Sequence, residues 1–491
     1  MYCTRLSNFF THVHPSIPLF RQETLLRRYG SGTLSRSLLL TIFVVSAKIL
    51  GPPKFWTNDG LETCVRRLLE AKLIDKECPT KRISLDNFRQ ACLLAFYAFH
   101  QYPGNEAWTR IGQLTRKAYQ CGLHQIDNND RFSAFEGDSM SEDKLDEWRR
   151  VWWFIYCLDS YSNIAVATPS VVENDSVKTA LVTTPLSNPA GTPMELTKTI
   201  FLPTETSMLW KTTKEIIDAP GDFAFNMHIV TTTLLRQAAT INRLQMQNPS
   251  SRLQTRLMAL KDHLSAVRLA LPVRYLNPGR NALIDESGSE HHTRLISVLH
   301  LHAASILLCF PSDPNRSGRE WLNGWQQTLE YCQDITSIVQ QWDSQYFPSV
   351  DPAVCFIISG TLIILHLHCC LDSSPGLQMK LLTYKDVLLL FLEQFASVWS
   401  LPRFLIMAFK KFSQLVFAPL SPDDVERILR QFEGHLHPRW LNFLSLTSAF
   451  EDLNMQEDTT IYPSLSSHEW DFNNWETVTD AANWSNMTRG L

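Results

Sequence analysis

Leu253, Leu257, Leu260, Leu264, Val267 and Leu271 recur at alternating steps of four and three residues. That spacing puts all six on one stripe of an α-helix and would scatter them over both faces of a strand. Arg252, Arg256, Lys261, Asp262 and Arg268 occupy the other faces, and Pro272, which has no backbone donor, ends the run. The repeat is shorter than the three or four heptads a coiled coil needs, so the stripe is expected to pack on its own core rather than dimerise.

The same period recurs along the chain. A helix is expected from about Glu106 to Cys121, capped by Asn105, with Trp108, Ile111, Leu114 and Ala118 on its apolar face. Gly122 stands where a left-handed C-cap is needed. Ser139 and Glu142 have capping-box spacing ahead of a helix over about Asp143–Ala167. Further helices are expected over Phe223–Met246, Thr293–Phe310, Arg319–Trp342, Ala353–Leu371, Tyr384–Trp399 and Arg403–Phe417. Alternating strand patterns bounded by Asn-Gly or Asp-Gly turns are nearly absent. The expected fold class is therefore all-α: a large helical domain of two packed halves, followed by a disordered acidic C-terminal tail. The domain covers residues 1–450, with a soft internal boundary near 173–207, where Thr, Pro, Ser and Asn accumulate in what reads as a long surface connection. The tail, Glu451–Leu491, carries eight acidic residues and one basic residue, with Tyr462, Trp470, Phe472, Trp475 and Trp484 interleaved.

Charge and cysteine use narrow the function. Forty-five Lys and Arg stand against 49 Asp and Glu, a net charge of -4. A chain that grips nucleic acid over a broad face is usually basic, because phosphate neutralisation supplies most of the affinity. The 11 cysteines are scattered, and Cys92, Cys157, Cys309 and Cys355 sit in apolar runs, as small buried hydrophobes in a reducing compartment. No signal peptide is visible at the start, and Ala353–Leu371, long enough by count to cross a membrane, carries Ser359, Thr361, His366 and His368 and is expected to be a core helix.

A search for chemistry returns little. There is no Gly-rich phosphate loop, no G-x-S-x-G elbow and no H-E-x-x-H pair. His366, Cys369 and Cys370 could share a helix face, but a closed zinc site needs further ligands. His300 with His302, and His435 with His437, are spaced by two, which suits a strand better than a helix for joint ligation. The basic stretch of Arg21, Arg27 and Arg28 is expected to form a solvated helix face. No catalytic, cofactor-binding or metal site is assigned, and no cofactor is expected.

Several segments then point to a family. Phe9-Phe10-Thr11-His12-Val13-His14-Pro15 precedes Pro18-Leu19-Phe20, and Leu38 to Leu50 forms a long apolar run. Ala107-Trp108, Gly112, Arg116, Ala118 and Gly122-Leu123-His124 follow in order. Glu147-Trp148-Arg149-Arg150-Val151-Trp152-Trp153 continues through Tyr156 and Leu158-Asp159 to Pro169. In this order the segments resemble the fungal-specific transcription factor domain, the middle homology region of fungal zinc binuclear-cluster transcription factors. Trp148 departs from a frequent Arg, and Ala167-Thr168 from a frequent Gly-containing pair before the proline. Arg149, Arg150 and Asp159 are expected to pair locally or with neighbouring helices.

The resemblance implies an all-α regulatory domain with no catalysis, working in the nucleus. The six closely spaced cysteines of a binuclear cluster are not found, since Cys3 stands alone and the next cysteine is Cys64. The expected function is therefore a fungal transcriptional regulator of a metabolic or secondary-metabolite gene cluster. It would reach DNA only through a partner or a cluster missing from this sequence, and engage coactivators through its acidic tail. A homodimer is left open, and no membrane is expected. Two other readings stand beside this one: a ligand-sensing or dimerisation module acting through a DNA-bound partner, and an enzyme with no recognisable motif.

Overall fold

Helices make up nearly all the regular structure in the computed structural model, which describes residues 6–430 apart from 53–55, 72–83, 129–140, 184–198, 220–221, 282, 284, 311–317 and 372–374. The described residues contain no strand beyond two isolated bridges, Ala180 with Phe201 and Leu371 with Leu420. The acidic tail, 451–491, and the pair His435 and His437 lie outside the described residues.

The helices run in the order α1 Gln22–Gly30, α2 Arg36–Leu50, α3 Asn58–Glu70, α4 Leu85–Gln101, α5 Asn105–Gln120 and α6 Glu142–Ala165. After a long connection come α7 Leu209–Asp218, α8 Phe223–Gln247, α9 Ser251–Ala270 and the single turn α10 Val273–Leu276. The chain then continues through α11 Gly288–Cys309, α12 Gly318–Val339, α13 Val354–Cys370, α14 Pro375–Ala396, α15 Ser400–Leu415 and α16 Pro422–Arg430. Packing follows the chain: α4 on α5 and α6, α6 on α8, α8 on α11, α11 on α12, α12 on α13, and α13 on α14 and α15. The path closes when α15 returns to α4. At that closure Trp399, 1% exposed, lies 5.9 Å from the Phe96 ring, 6.2 Å from Tyr97 and 5.6 Å from His100.

The leucine-rich stripe that begins at Leu253 lies on α9. Leu257, Leu260, Leu264, Val267 and Leu271 are buried, against α7, α8 and α11, and Leu253 at the start is half-buried. Helix α13 is buried throughout, from Val354 to His368 and again at Cys370, although by composition it resembles a span. One described helix, α11, is long and apolar enough to cross a membrane, and 94% of its apolar window is buried inside the protein. Cys92, Cys157, Cys309 and Cys355 are buried, as their apolar settings predict.

Several boundaries differ from expectation for local reasons. Asn105 is not the cap but the first residue of α5, and the capping position falls on Gly104. Helix α6 starts at Glu142 with Ser141 at its cap and no capping side-chain bond; the Glu142 carboxylate is instead engaged by Arg149. Ser139 lies outside the described residues. Helix α11 starts five residues before Thr293, because Ser287 and Glu290 close a capping box in which each accepts from the other's backbone N–H. Helix α14 starts at Pro375 rather than Tyr384, a first-turn position where the missing N–H costs nothing. Gly122, with φ 75°, takes the left-handed cap conformation expected of it.

Candidate functional site

Helix α6 is the centre of the molecule. Trp148, Val151, Trp152, Trp153, Ile155 and Tyr156 along it are fully buried. Trp148 meets Phe88 of α4 edge-on at 5.7 Å, and Trp152 meets Tyr119 of α5 at 5.6 Å. Aromatic burial of this extent anchors both neighbours to α6 and excludes water from what lies between.

The polar residues of the same helix are as fully engaged. Arg149 donates from Nε to Asp127 Oδ2 at 3.1 Å, and its two terminal nitrogens pair with Asp127 and Glu142. Burial opposes the Arg149 charge, but the two carboxylates outweigh it and raise its pKa above the ordinary value. Arg150 Nη1 lies 2.9 Å from Asp222 Oδ2 at the start of α8. Glu147 pairs with Arg89 at 3.2 Å, and Asp143 with Arg21 at 2.7 Å. Asp146 accepts from Thr183 N at 2.8 Å and from its hydroxyl at 3.0 Å. Asp159 accepts from the backbone N–H groups of Val171 at 3.3 Å and Val172 at 3.2 Å, and from Asn163 Nδ2 at 2.9 Å. Burial pushes the carboxyls of Asp146 and Asp159 above their ordinary values, against the pull of Arg150 and of the Val172 N–H respectively.

These contacts correct two readings. Residues 173–207 are not simply a surface connection. Thr179, Ala180, Leu181 and Val182 are buried, because Ala180 N donates to Asp127 and Ala180 O accepts from Trp153 Nε1 at 2.6 Å. The basic stretch before α1 and along it is not one solvated face. Arg21 is buried on Asp143, and Arg28 makes a bidentate pair with Asp86 at 2.8 and 2.7 Å. Only Arg27, on Glu23, is well exposed. Charge patterning along one segment cannot reveal carboxylates that arrive from other helices.

Of the candidate ligating groups, His366 and Cys370 meet, but the ring nitrogens of His366 are engaged elsewhere. His366 Nε2 lies 2.7 Å from Val416 O, and its Nδ1 lies 3.1 Å from Lys385 Nζ, a cation that would repel a metal. Cys370 Sγ is 3.6 Å from His366 Nε2. His300 bridges Tyr161 at 2.8 Å and Thr231 at 3.1 Å, while His302 faces Asp334 at 3.5 Å. No group of three or more His, Cys, Asp or Glu able to hold a metal is present among the described residues.

One feature had no warning in the motifs. Where α6 ends, Ala167 turns the chain with φ 52°, and a small open cleft forms between this turn, α8 and α11. Arg236 and Arg243 line it together with Asn163, Thr168 and Thr240. The two arginines are seven residues apart on α8 and so share a face. That spacing is legible in the sequence, but the turn that faces it is not.

In comparison with known proteins, the family described as fungal specific transcription factor domain matches residues 6–215 of the chain. The chain is 24% identical over 182 residues to the Zn(2)-C6 fungal-type transcription factor FTF1c of Fusarium oxysporum f. sp. lycopersici, covering 34% of this chain and 18% of that protein. It is 24% identical over 191 residues to the citrinin biosynthesis transcriptional activator mrl3 of Monascus ruber, covering 38% of this chain and 36% of that protein. The activator of the same description in Monascus purpureus, ctnR, is 24% identical over 191 residues, with 38% and 32% covered. The matched part thus spans well under half the length of these relatives. No solved structure matches the chain.

Proposed function

We propose that this chain is the regulatory region of a fungal transcriptional regulator that controls a secondary-metabolite gene cluster from the nucleus. The observation that carries the proposal is the family match over residues 6–215, in which the charged residues of α6 pair within the protein and none is paired as nucleophile with base. Two relatives are named as citrinin biosynthesis activators, which favours a biosynthetic cluster as target. On this reading the chain is not an enzyme. Residues 1–450 act as one regulatory domain, and contact with DNA comes from a bound partner or from a zinc-cluster segment. The tail Glu451–Leu491 recruits coactivators through its interleaved acids and tryptophans.

Deletion of the gene followed by transcript profiling tests the target. Loss of transcripts from one contiguous biosynthetic cluster is expected, and an unchanged cluster transcriptome overturns the reading. Fusion to a heterologous DNA-binding domain tests the tail. Residues 1–491 should raise reporter expression and residues 1–450 should not. Changing Trp470, Trp475 and Trp484 to Ala should reduce the signal, and an undiminished signal removes the role of the aromatic residues.

A further inference from the structure

The cleft beside Ala167 is lined by two arginines against a single nearby carboxylate, Asp159. Arg236 is 8% exposed, and its Nη2 donates to Val172 O. Its guanidinium lies over the Tyr156 ring at 5.3 Å, which fixes the plane of the group. Its Nη1, although buried, has no hydrogen-bond partner among the described residues. Buried arginine nitrogens are normally satisfied, because an orphaned charged donor forfeits its hydration with nothing in return. One turn pair further along the same face, Arg243 donates to Ala167 O at 3.3 Å and makes no ion pair with any described carboxylate. Burial holds its guanidinium below the ordinary pKa. Asp159, whose carboxylate attracts the Arg236 charge, is also held by two backbone N–H groups and Asn163. Two guanidinium groups and one engaged carboxylate leave a net positive cleft. Its remaining polar lining is the amides Asn163 and Asn242 and the hydroxyls Thr168, Ser170 and Thr240, with Leu307 as an apolar wall.

We propose that this cleft is a binding site for a small organic oxyanion, a carboxylate or phosphate ester, seated between Arg236 and Arg243. Arg236 Nη1 supplies a pre-oriented, desolvated donor, where charge-assisted hydrogen bonds are strongest. Arg243, on the open side, supplies the mobile second contact. The threonine and serine hydroxyls can hydrogen-bond the rest of a small polar molecule. The site joins the turn after α6 to α8 and α11, so an occupant would add to the hydrogen bonds that Arg236, Arg243 and Asn242 already make between them. The proposal goes beyond the transcriptional reading and does not rest on it, since binding is measured on the chain itself.

The test is isothermal titration calorimetry of the full chain with succinate and, separately, with inorganic phosphate, each against sodium chloride of equal ionic strength. Binding of at least one of the two above the chloride control is expected, and which one binds distinguishes a carboxylate from a phosphate ligand. Arg243→Gln, at a half-exposed position that does not threaten folding, should weaken binding by roughly tenfold, the value of one charge-assisted hydrogen bond. Arg236→Lys keeps the charge but loses the fork, and should weaken it by a similar factor. If neither anion binds above chloride, or if Arg243→Gln binds as tightly as the unmodified chain, the proposal fails.

Discussion

Asp222 serves two helices at once. Its Oδ1 accepts from the backbone N–H of Phe225 at 3.1 Å, capping α8, while its Oδ2 lies 2.9 Å from Arg150 in the middle of α6. One carboxylate thus fixes the start of α8 against the centre of the molecule. Asp222→Ala should cost about 3–4 kcal/mol, roughly 1 kcal/mol from the cap and the rest from the buried guanidinium losing its nearest carboxylate. Asp222→Asn keeps a good cap and should cost about 2 kcal/mol. Urea midpoints at constant slope measure both, and equal losses for the two variants would show that the charge on Asp222 contributes nothing.

Acidification below pH 6.5 should destabilise the protein through its buried histidines. His14 is buried among Phe9, Phe10 and Phe20, and its Nε2 accepts from the backbone N–H of Phe20 at 3.1 Å, which requires a neutral ring. Burial, reinforced by the Arg150 and Arg89 charges, lowers its pKa to about 3. The unfolded chain therefore takes up a proton near pH 6.5 that the folded chain refuses. The His14 contribution is fully present above pH 6.5 and is lost progressively as pH falls toward 3, at up to roughly 1.4 kcal/mol per pH unit. Burial likewise lowers His228 and His366 to about 4 and His302 and His368 to about 3, so all five act in the same direction. His14→Gln, whose amide oxygen can still accept from Phe20, should flatten the stability slope between pH 6.5 and 5 by about one proton. An unaltered slope would remove His14 from the account.

The turn after α6 holds a non-glycine residue at φ 52°. A side chain there costs about 1 kcal/mol, and glycine relieves it while adding some unfolded-state freedom. Ala167→Gly should therefore leave the protein equally stable or raise it by up to about 1 kcal/mol in thermal unfolding. A clear loss would mean that the methyl group packs better than the backbone geometry implies.

The 491-residue chain alone should show no sequence-specific affinity for DNA. Readout of base edges needs an element presented to a groove, and a net charge of -4 opposes the phosphate contacts of non-specific binding. Fluorescence anisotropy with a promoter library at physiological salt measures this, and enrichment of one sequence would show that a helix described here as internal reads bases.

How much of this was legible depended on range. Trp148, Val151, Trp152 and Ile155 announce a buried helix face because helical period is a local property, and all four are buried. Arg149 and Arg150 were recognisable as residues needing partners. That the partners are Asp127 and Asp222 was not, since Asp222 lies 72 residues away and only the packing of α8 on α6 brings it there. The same limit hid Asp86 and Asp143 from Arg28 and Arg21. The Arg236 and Arg243 spacing was visible, but nothing local shows that the residues after α6 leave Nη1 without a partner.

The wedge of Trp399 against α4 sets the grain at which this molecule can be divided. The family match ends at residue 215, yet the aromatic trough of Phe96, Tyr97 and His100 that receives Trp399 lies inside it. The trough is filled from a point far along the chain, and Ser400 N donates to Gln101 Oε1 beside it at 3.3 Å. A recombinant fragment trimmed to the family boundary would therefore open a greasy seam to water and invite aggregation. In this chain the stretch that recurs among relatives is shorter than the stretch that must be kept whole.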